Sequence, residues 1–264
     1  MSNVSSEKKQ IEFYKDHPDP EVEITRPYCY PSPVRYLLDF KLQNALKFLN
    51  GRFKDDRMLV VCCGSGMDAE YLARRGMKVV GVDISFEALQ RAKERASRYG
   101  VSYQLVVGDA ANLPFKDNVF ELAFVHDGLH HLTDAYQGVR EMMRIVSRTA
   151  IIAEPADSPL TKLAVKIGIS GEYEDAGNFI NRLQPRELAQ VFALYGAERW
   201  SFKQHLIYYQ PWTFKIYRLF EPKQLFWLFK MLFYFSNTLF GRWGNSMKAI
   251  AWKMPNSSNK SLSQ

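Results

Sequence analysis

The sequence is poor in cysteine. It has three among 264 residues, and Cys62 and Cys63 are adjacent, which leaves Cys29 alone. A disulfide-built fold is excluded, and a reducing, cytoplasmic setting is expected. The first ten residues are polar, so no secretory signal is expected. No uninterrupted apolar run reaches the roughly twenty residues that a membrane span needs. The five histidines have no cysteine pair at chelating spacing, so no metal centre is expected. There is no internal repeat. Two further absences are local: no tryptophan precedes residue 199, and Glu221 is the one acid between residues 199 and 253.

Hydrophobic residues make up 47% and charged residues 24%, which excludes a disordered or collagen-like chain. The length suits one large domain or two small ones. The net charge of +7 is concentrated. Residues 199–253 carry nine Lys/Arg against that one acid, all five tryptophans and 17 aromatics, so the rest of the chain is close to neutral.

The stretch up to Pro33 is rich in proline and reads as an irregular arm. Helical spacing comes next over 36–50, with Gly51 as a stop. Short apolar runs then alternate with helical stretches. Strands are expected at 58–63, 78–82, 102–107, 120–125 and 150–153, and helices at 68–75, 85–99, 134–145 and 185–195. Two late strands are expected at 199–209 and 247–253. Continuously apolar strands alternating with helices imply an α/β fold, a doubly wound, mostly parallel sheet with helices on both faces.

The first strand runs into Gly64-Ser65-Gly66-Met67-Asp68-Ala69, and Asp83 ends the second strand. Glycines let a backbone approach a ligand, and an acid at that distance can accept hydrogen bonds from ribose hydroxyls. A Gly-x-Gly turn is also common for structural reasons, and this one also satisfies a dinucleotide fingerprint. The next two segments are more specific. Gly108-Asp109-Ala110-Ala111-Asn112-Leu113-Pro114-Phe115 comes after the third strand, and the fourth ends in His126-Asp127-Gly128-Leu129-His130-His131. In this order and spacing the series resembles the class I S-adenosylmethionine-dependent methyltransferases, over about residues 58–155.

The resemblance implies a Rossmann-like sheet of seven strands with S-adenosylmethionine as cofactor. Cys63, Gly64, Ser65 and Gly66 would pass beneath its methionine and ribose. Asp83 would hold the ribose hydroxyls, and Ile84 would pack on the adenine. Asp109 would accept from the adenine amino group, with Ala110 beside the ring and His126 near the methionine end. Two positions depart from the family pattern. Val60 stands where an acid is usual, and Cys62 where the first loop glycine is usual. That acid helps position the cofactor's amino group, so a residue of the 28–36 arm is a candidate substitute.

Methyl transfer needs in-line positioning and, for a hydroxyl or carbon acceptor, a general base. Asp127, His130, His131 and Glu154 are the candidates, with Tyr173 and Arg182 as weaker acceptor-site residues. Each also has a structural reading. The histidine pair could start a helix, Glu154 could end a strand, and Asp127 could cap a loop.

The resemblance leaves residues 207–243 as an insertion between the last two strands. Pro222 and Gly241 bracket a helix that is apolar on all sides, which must be buried in protein or lipid. At 19 residues, and diluted by Lys223, Gln224, Lys230, Ser236, Asn237 and Thr238, it suits an in-plane anchor better than a span. A pocket lid and a protein interface are the other readings. Sparse charges and high aliphatic content argue against nucleic acid.

The expected organisation is an arm (1–35), a methyltransferase domain (36–254) with its insertion, and a disordered tail (255–264). The expected function is methyl transfer to a small-molecule or lipid-like acceptor, in the cytoplasm or at a membrane surface. The alternatives are a non-catalytic adaptor on a degenerate methyltransferase fold and an NAD(P)-dependent oxidoreductase.

Overall fold

The computed structural model describes residues 6–16, 19–47, 49, 56–174 and 177–253. The expected tail and the stop at Gly51 lie outside these residues. In chain order the elements are α1 (Ser6–Asp16), α2 (Pro20–Thr25), α3 (Ser32–Leu46), β1 (Arg57–Val61), α4 (Met67–Ala73), β2 (Lys78–Asp83), α5 (Phe86–Tyr99), β3 (Gln104–Val107), β4 (Phe120–His126), α6 (Ala135–Ile145) and β5 (Val146–Pro155). They continue with α7 (Pro159–Lys166), α8 (Pro185–Leu194), β6 (Arg199–His205), α9 (Phe214–Arg218), α10 (Lys223–Phe240) and β7 (Ser246–Trp252).

The seven strands form one sheet in the order β3-β2-β1-β4-β5-β7-β6. The first five run parallel, and β7 lies antiparallel between β5 and β6. The apolar runs reflect burial on both faces. Met58 and Val60 of β1 pack with α3, α4 and α5, while Leu59 and Val61 face the side covered by α6 and α8. With a side-chain period of two, a strand covered on both sides must be apolar at every position.

Several boundaries differ from expectation. β1 stops at Val61 because Cys62 turns into the left-handed region (φ +52°). β5 starts at Val146, directly after α6, and so is longer than expected. The arm is not irregular among its described residues, because α1 and α2 occupy much of it. Asp19 caps α2 by accepting from Glu21 N–H. The fully buried Arg95 of α5 then donates to the carbonyls of Glu23, Ile24 and Arg26 and pairs with Glu70 at 2.8 Å. α7 has no counterpart among the expected elements.

β6 ends at His205, short of the expected Tyr209, because the chain leaves the sheet there. Two asparagine side chains hold the exit as a paired strand would. Asn237 accepts from Leu206 N–H and donates to its carbonyl, and Asn245 does the same for Ile207. α10 lays Phe226, Phe229 and Phe233 against Tyr36, with Phe233 also edge-on to Phe40 at 4.9 Å. Only Phe233 of this helix is buried among the described residues. Its other face leaves Trp227, Leu228, Met231, Leu232, Phe235 and Leu239 exposed. Of the coverings expected for an all-round apolar helix, protein or lipid, this chain's own body therefore supplies only part. Among the described residues, no helix is long and apolar enough to cross a membrane.

Candidate active site

The carboxyl ends of the parallel strands open into a cavity of about 580 Å³. Open α/β sheets bind ligands at this edge. Cys63, Gly64, Asp83, Ile84, Asp109, Ala110 and His126 all line it, so the expected cofactor positions converge apart from two. Ser65 and Gly66 do not line the cavity. Ser65 is fully buried and donates its hydroxyl to Glu23 at 2.5 Å. Gly66 sits at φ +80°, and a Cβ there would lie 2.6 Å from the Tyr103 hydroxyl and 2.9 Å from Ala92 Cβ. Both residues shape the loop from behind.

Asp83 organises the loop from below. One carboxylate oxygen accepts from Gly64 N–H (2.8 Å) and the other from Ser85 N–H (2.9 Å). Burial raises its pKa, and the backbone donors of Ser85, Gly64 and Ile84 oppose that shift. Asp109 accepts from Ala111 N–H and starts the tight turn to Asn112. The rest of that loop rests on Glu141, which accepts from Leu113 N–H while Arg144 bridges it to the Leu113 and Phe115 carbonyls.

The two departures have local explanations. Val60 is fully buried among α3 and α4 side chains. Cys62 occupies the room that Gly128 leaves, since a Cβ on Gly128 would lie 2.3 Å from Cys62 Cβ. Burial pushes the Cys62 and Cys63 thiols well up, so neither is a nucleophile at neutral pH.

Two polar clusters stand beyond the cofactor positions. In the first, His126 lies between Asp68 (3.1 Å) and Asp127 (3.3 Å). Burial disfavours its charge, but those carboxylates raise its pKa to about 9. Asp127 also pairs with Lys41 and accepts from the Tyr209 hydroxyl at 2.8 Å. Despite burial, Lys41 and His126 hold its carboxyl well below the usual range.

The second cluster corrects the expectation for Glu154. It does not stand past the strand facing an acceptor. It lies within β5, is fully buried and is absent from the cavity lining. It accepts from Gly128 and Leu129 N–H (2.7 and 2.9 Å) and from His130 Nδ1 (2.7 Å). His130 Nε2 lies 3.3 Å from Glu174. Burial opposes the charge on His130, but Glu154 and Glu174 outweigh it and raise the pKa to about 10. His131 lies 4.0 Å away, ring to ring, and burial with its charged neighbour lowers it to about 4. Both histidines line the cavity, on a 3-10 turn rather than a longer helix. Folding therefore brings His130, His131 and Glu174 together, a grouping that linear spacing hides. Ion pairing to the two carboxylates accounts for the His130 part of it.

Of the weaker candidates, Arg182 lines the cavity and donates to the Gly171 carbonyl. Tyr173 does not line it; it is exposed and edge-on to Phe179. Glu23, Arg26, Lys41, Asp68, Glu174 and Tyr209 line or brace the cavity without having been expected. The contiguity of Asp68 with the glycine loop was the one available signal.

These shifts set a pH dependence. His126 and His130 have folded pKa values above the ordinary 6.5, so the stability they contribute is complete below pH 6.5 and lost as pH rises through 9–10. His131 and His205 are depressed to about 4, so their contribution is complete above 6.5 and lost as pH falls towards 4. Urea midpoints measured from pH 4 to 10 are expected to peak near 6–7. A midpoint rising steadily from pH 7 to 9 would contradict the charged His126 and His130.

Comparisons with known proteins agree with this geometry. A family model described as a methyltransferase domain matches residues 59–153. A demethylmenaquinone methyltransferase of Thermobifida fusca is 32% identical over 121 residues, 44% of this chain and 50% of that protein. A 2-phytyl-1,4-naphtoquinone methyltransferase of Nostoc sp. is 35% identical over 142 residues, 45% of this chain and 61% of that one. The chain thus spans only about half to three-fifths of these relatives' length. The crystal structure of a magnesium protoporphyrin IX methyltransferase from Synechocystis PCC 6803 with S-adenosylhomocysteine bound superposes with a TM-score of 0.62. It covers 92% of this chain and 96% of that one at 16% identity, a likeness of fold.

Proposed function

We propose that the chain, which matches a methyltransferase family model over residues 59–153, is a class I S-adenosylmethionine-dependent methyltransferase and transfers a methyl group to a lipid-like small-molecule acceptor at a membrane surface. The observation that carries this reading is one cavity lined both by the cofactor positions and by His130 and Asp127, beneath an insertion that exposes an apolar, basic face. Residues 36–254 are read as the catalytic domain and 207–243 as its insertion, on the cytoplasmic face.

S-adenosylmethionine supplies a methyl group activated by its sulfonium. The chain's part is to bind and align. Asp83 and Asp109 hold the sugar and base ends, and Gly64 brings the backbone close to the ligand. His130 has a carboxylate on each ring nitrogen and keeps its proton at neutral pH. It is not a proton acceptor, and its Nε2–H reaches an acceptor oxygen only by exchanging Glu174 for it. Asp127 and Glu174 are the cavity carboxylates held ionised, and they are placed to take the acceptor's proton. Glu154 orients His130 from behind. His131, neutral and tilted against His130, completes that wall.

The relative named for 2-phytyl-1,4-naphtoquinone takes, by that name, a quinone with a long apolar tail. An acceptor of that class suits the insertion. Trp200 and Trp252 pack on the body, whereas Trp212, Trp227 and Trp243 are exposed alongside Lys215, Arg218, Lys223 and Arg242, with Lys230 half-buried over the Phe226 ring. Aromatic rings with basic residues are the types that settle at an anionic lipid interface, where each cation adds about 1 kcal/mol.

The test is methyl transfer from labelled S-adenosylmethionine to a tailed naphthoquinol in anionic vesicles, with flotation of the same samples. Label is expected in the quinol, and the protein is expected to float with anionic vesicles. A Trp227→Glu, Phe235→Glu variant should lose flotation without losing S-adenosylhomocysteine binding. Flotation unchanged in that variant would remove the membrane contact. Cofactor binding with no transfer to any such quinol would remove that acceptor class.

A further inference from the structure

We propose that Arg26, carried by the arm, takes the carboxylate at the amino-acid end of the cofactor. The assignment rests on the cofactor reading above and adds a residue that no family motif supplies.

The glycine loop lacks the acid that usually steadies this end, because Val60 is buried in the core. The arm reaches the same loop from the other side. Glu23 is almost fully buried, accepts from Ser65 and pairs with Arg26 at 3.1 Å. Arg26 lines the cavity directly over Gly64, where a Cβ would stand 3.7 Å from its Nη2. An amino-acid carboxylate lying past Gly64 therefore meets this guanidinium first.

Charge selects it as well. Among the described residues, Arg26, Lys41 and Arg182 are the Lys/Arg side chains lining the cavity. Lys41 is bound to Asp127. Arg182 is held to Gly171 on the segment after β5, away from the glycine loop. The remaining charged lining near the loop is Glu23, Asp68, Asp83 and Asp127, with the one further cation, His126, held between Asp68 and Asp127. A carboxylate entering there needs a cation, and a guanidinium with five donors can keep one ion pair while making another. The arm's position does not depend on the Arg26 side chain, because Arg95 grips the α2 backbone carbonyls.

The experiment compares S-adenosylmethionine with its decarboxylated analogue by calorimetry on the full chain. Arg26→Met is expected to weaken S-adenosylmethionine binding about 10–100-fold, the scale of a lost charge-assisted pair, and to leave the analogue's binding unchanged. Arg26→Lys keeps a cation without the fork and should lose less. Equal losses for the two ligands, or no loss for either, overturn the assignment. Should Arg26→Met not fold, the same comparison on Arg26→Lys decides it. A wild-type chain that binds neither ligand defeats the cofactor reading itself, a separate outcome.

Discussion

Replacing Asp83 by alanine is expected to lower the affinity for S-adenosylhomocysteine by about a hundredfold or more. Two losses combine. The ribose hydroxyls lose a charged acceptor, worth about 1.5–3 kcal/mol for each hydrogen bond. The loop loses the carboxylate that accepts from both Gly64 and Ser85 N–H. Asp83→Asn keeps one acceptor oxygen and the shape, so its loss should be smaller. Calorimetry on variants of unchanged melting temperature checks this. An affinity within about fivefold of wild type, or roughly 1 kcal/mol, would take Asp83 off the cofactor.

The second large effect is on stability. Glu154→Ala is expected to destabilise the protein by about 3–5 kcal/mol, the usual cost of breaking a buried ion pair from one side. It would strand the N–H groups of Gly128 and Leu129 and leave a buried histidine without its main counter-ion. The same variant should drop the His130 pKa from about 10 towards the ordinary 6.5 or below, since burial then acts with less opposition. Urea unfolding gives the first quantity and an NMR titration of the His130 ring gives the second. A loss under about 1 kcal/mol, the scale of an exposed pair, would contradict the buried geometry. An unmoved titration would show that Glu154 does not set the charge of His130.

The arm shows where sequence reading stops. Proline there reads as irregularity, yet Pro20 opens α2 at a position where a missing N–H costs nothing. α10 shows another limit. Its composition implies burial, but composition does not say which side the body covers. Only the line through Phe226, Phe229 and Phe233 meets α3. The acid–base candidates show a third. His130 and His131 are adjacent in the chain, yet one is charged and the other neutral, because His130 pairs with Glu154 and Glu174 while burial and the charged His130 beside it lower His131.

The cofactor edge of the sheet is set by chain order alone. Gly64, Asp83 and Asp109 each come just after or at a strand end, and parallel strands bring their carboxyl ends to one side whatever the loops do. The order of strands and helices was legible for a similar reason, since burial on both faces leaves an unbroken apolar run in the chain. Which side chains surround the reacting end of the cavity depends instead on packing. Ser65 and Glu23 are 42 residues apart, Tyr209 and Asp127 are 82, and Lys41 and Asp127 are 86. No periodicity records contacts at such separations. They exist because the arm, α3 and the start of the insertion close over the same strand ends, and a partner's identity is then set by burial and charge at the point of contact.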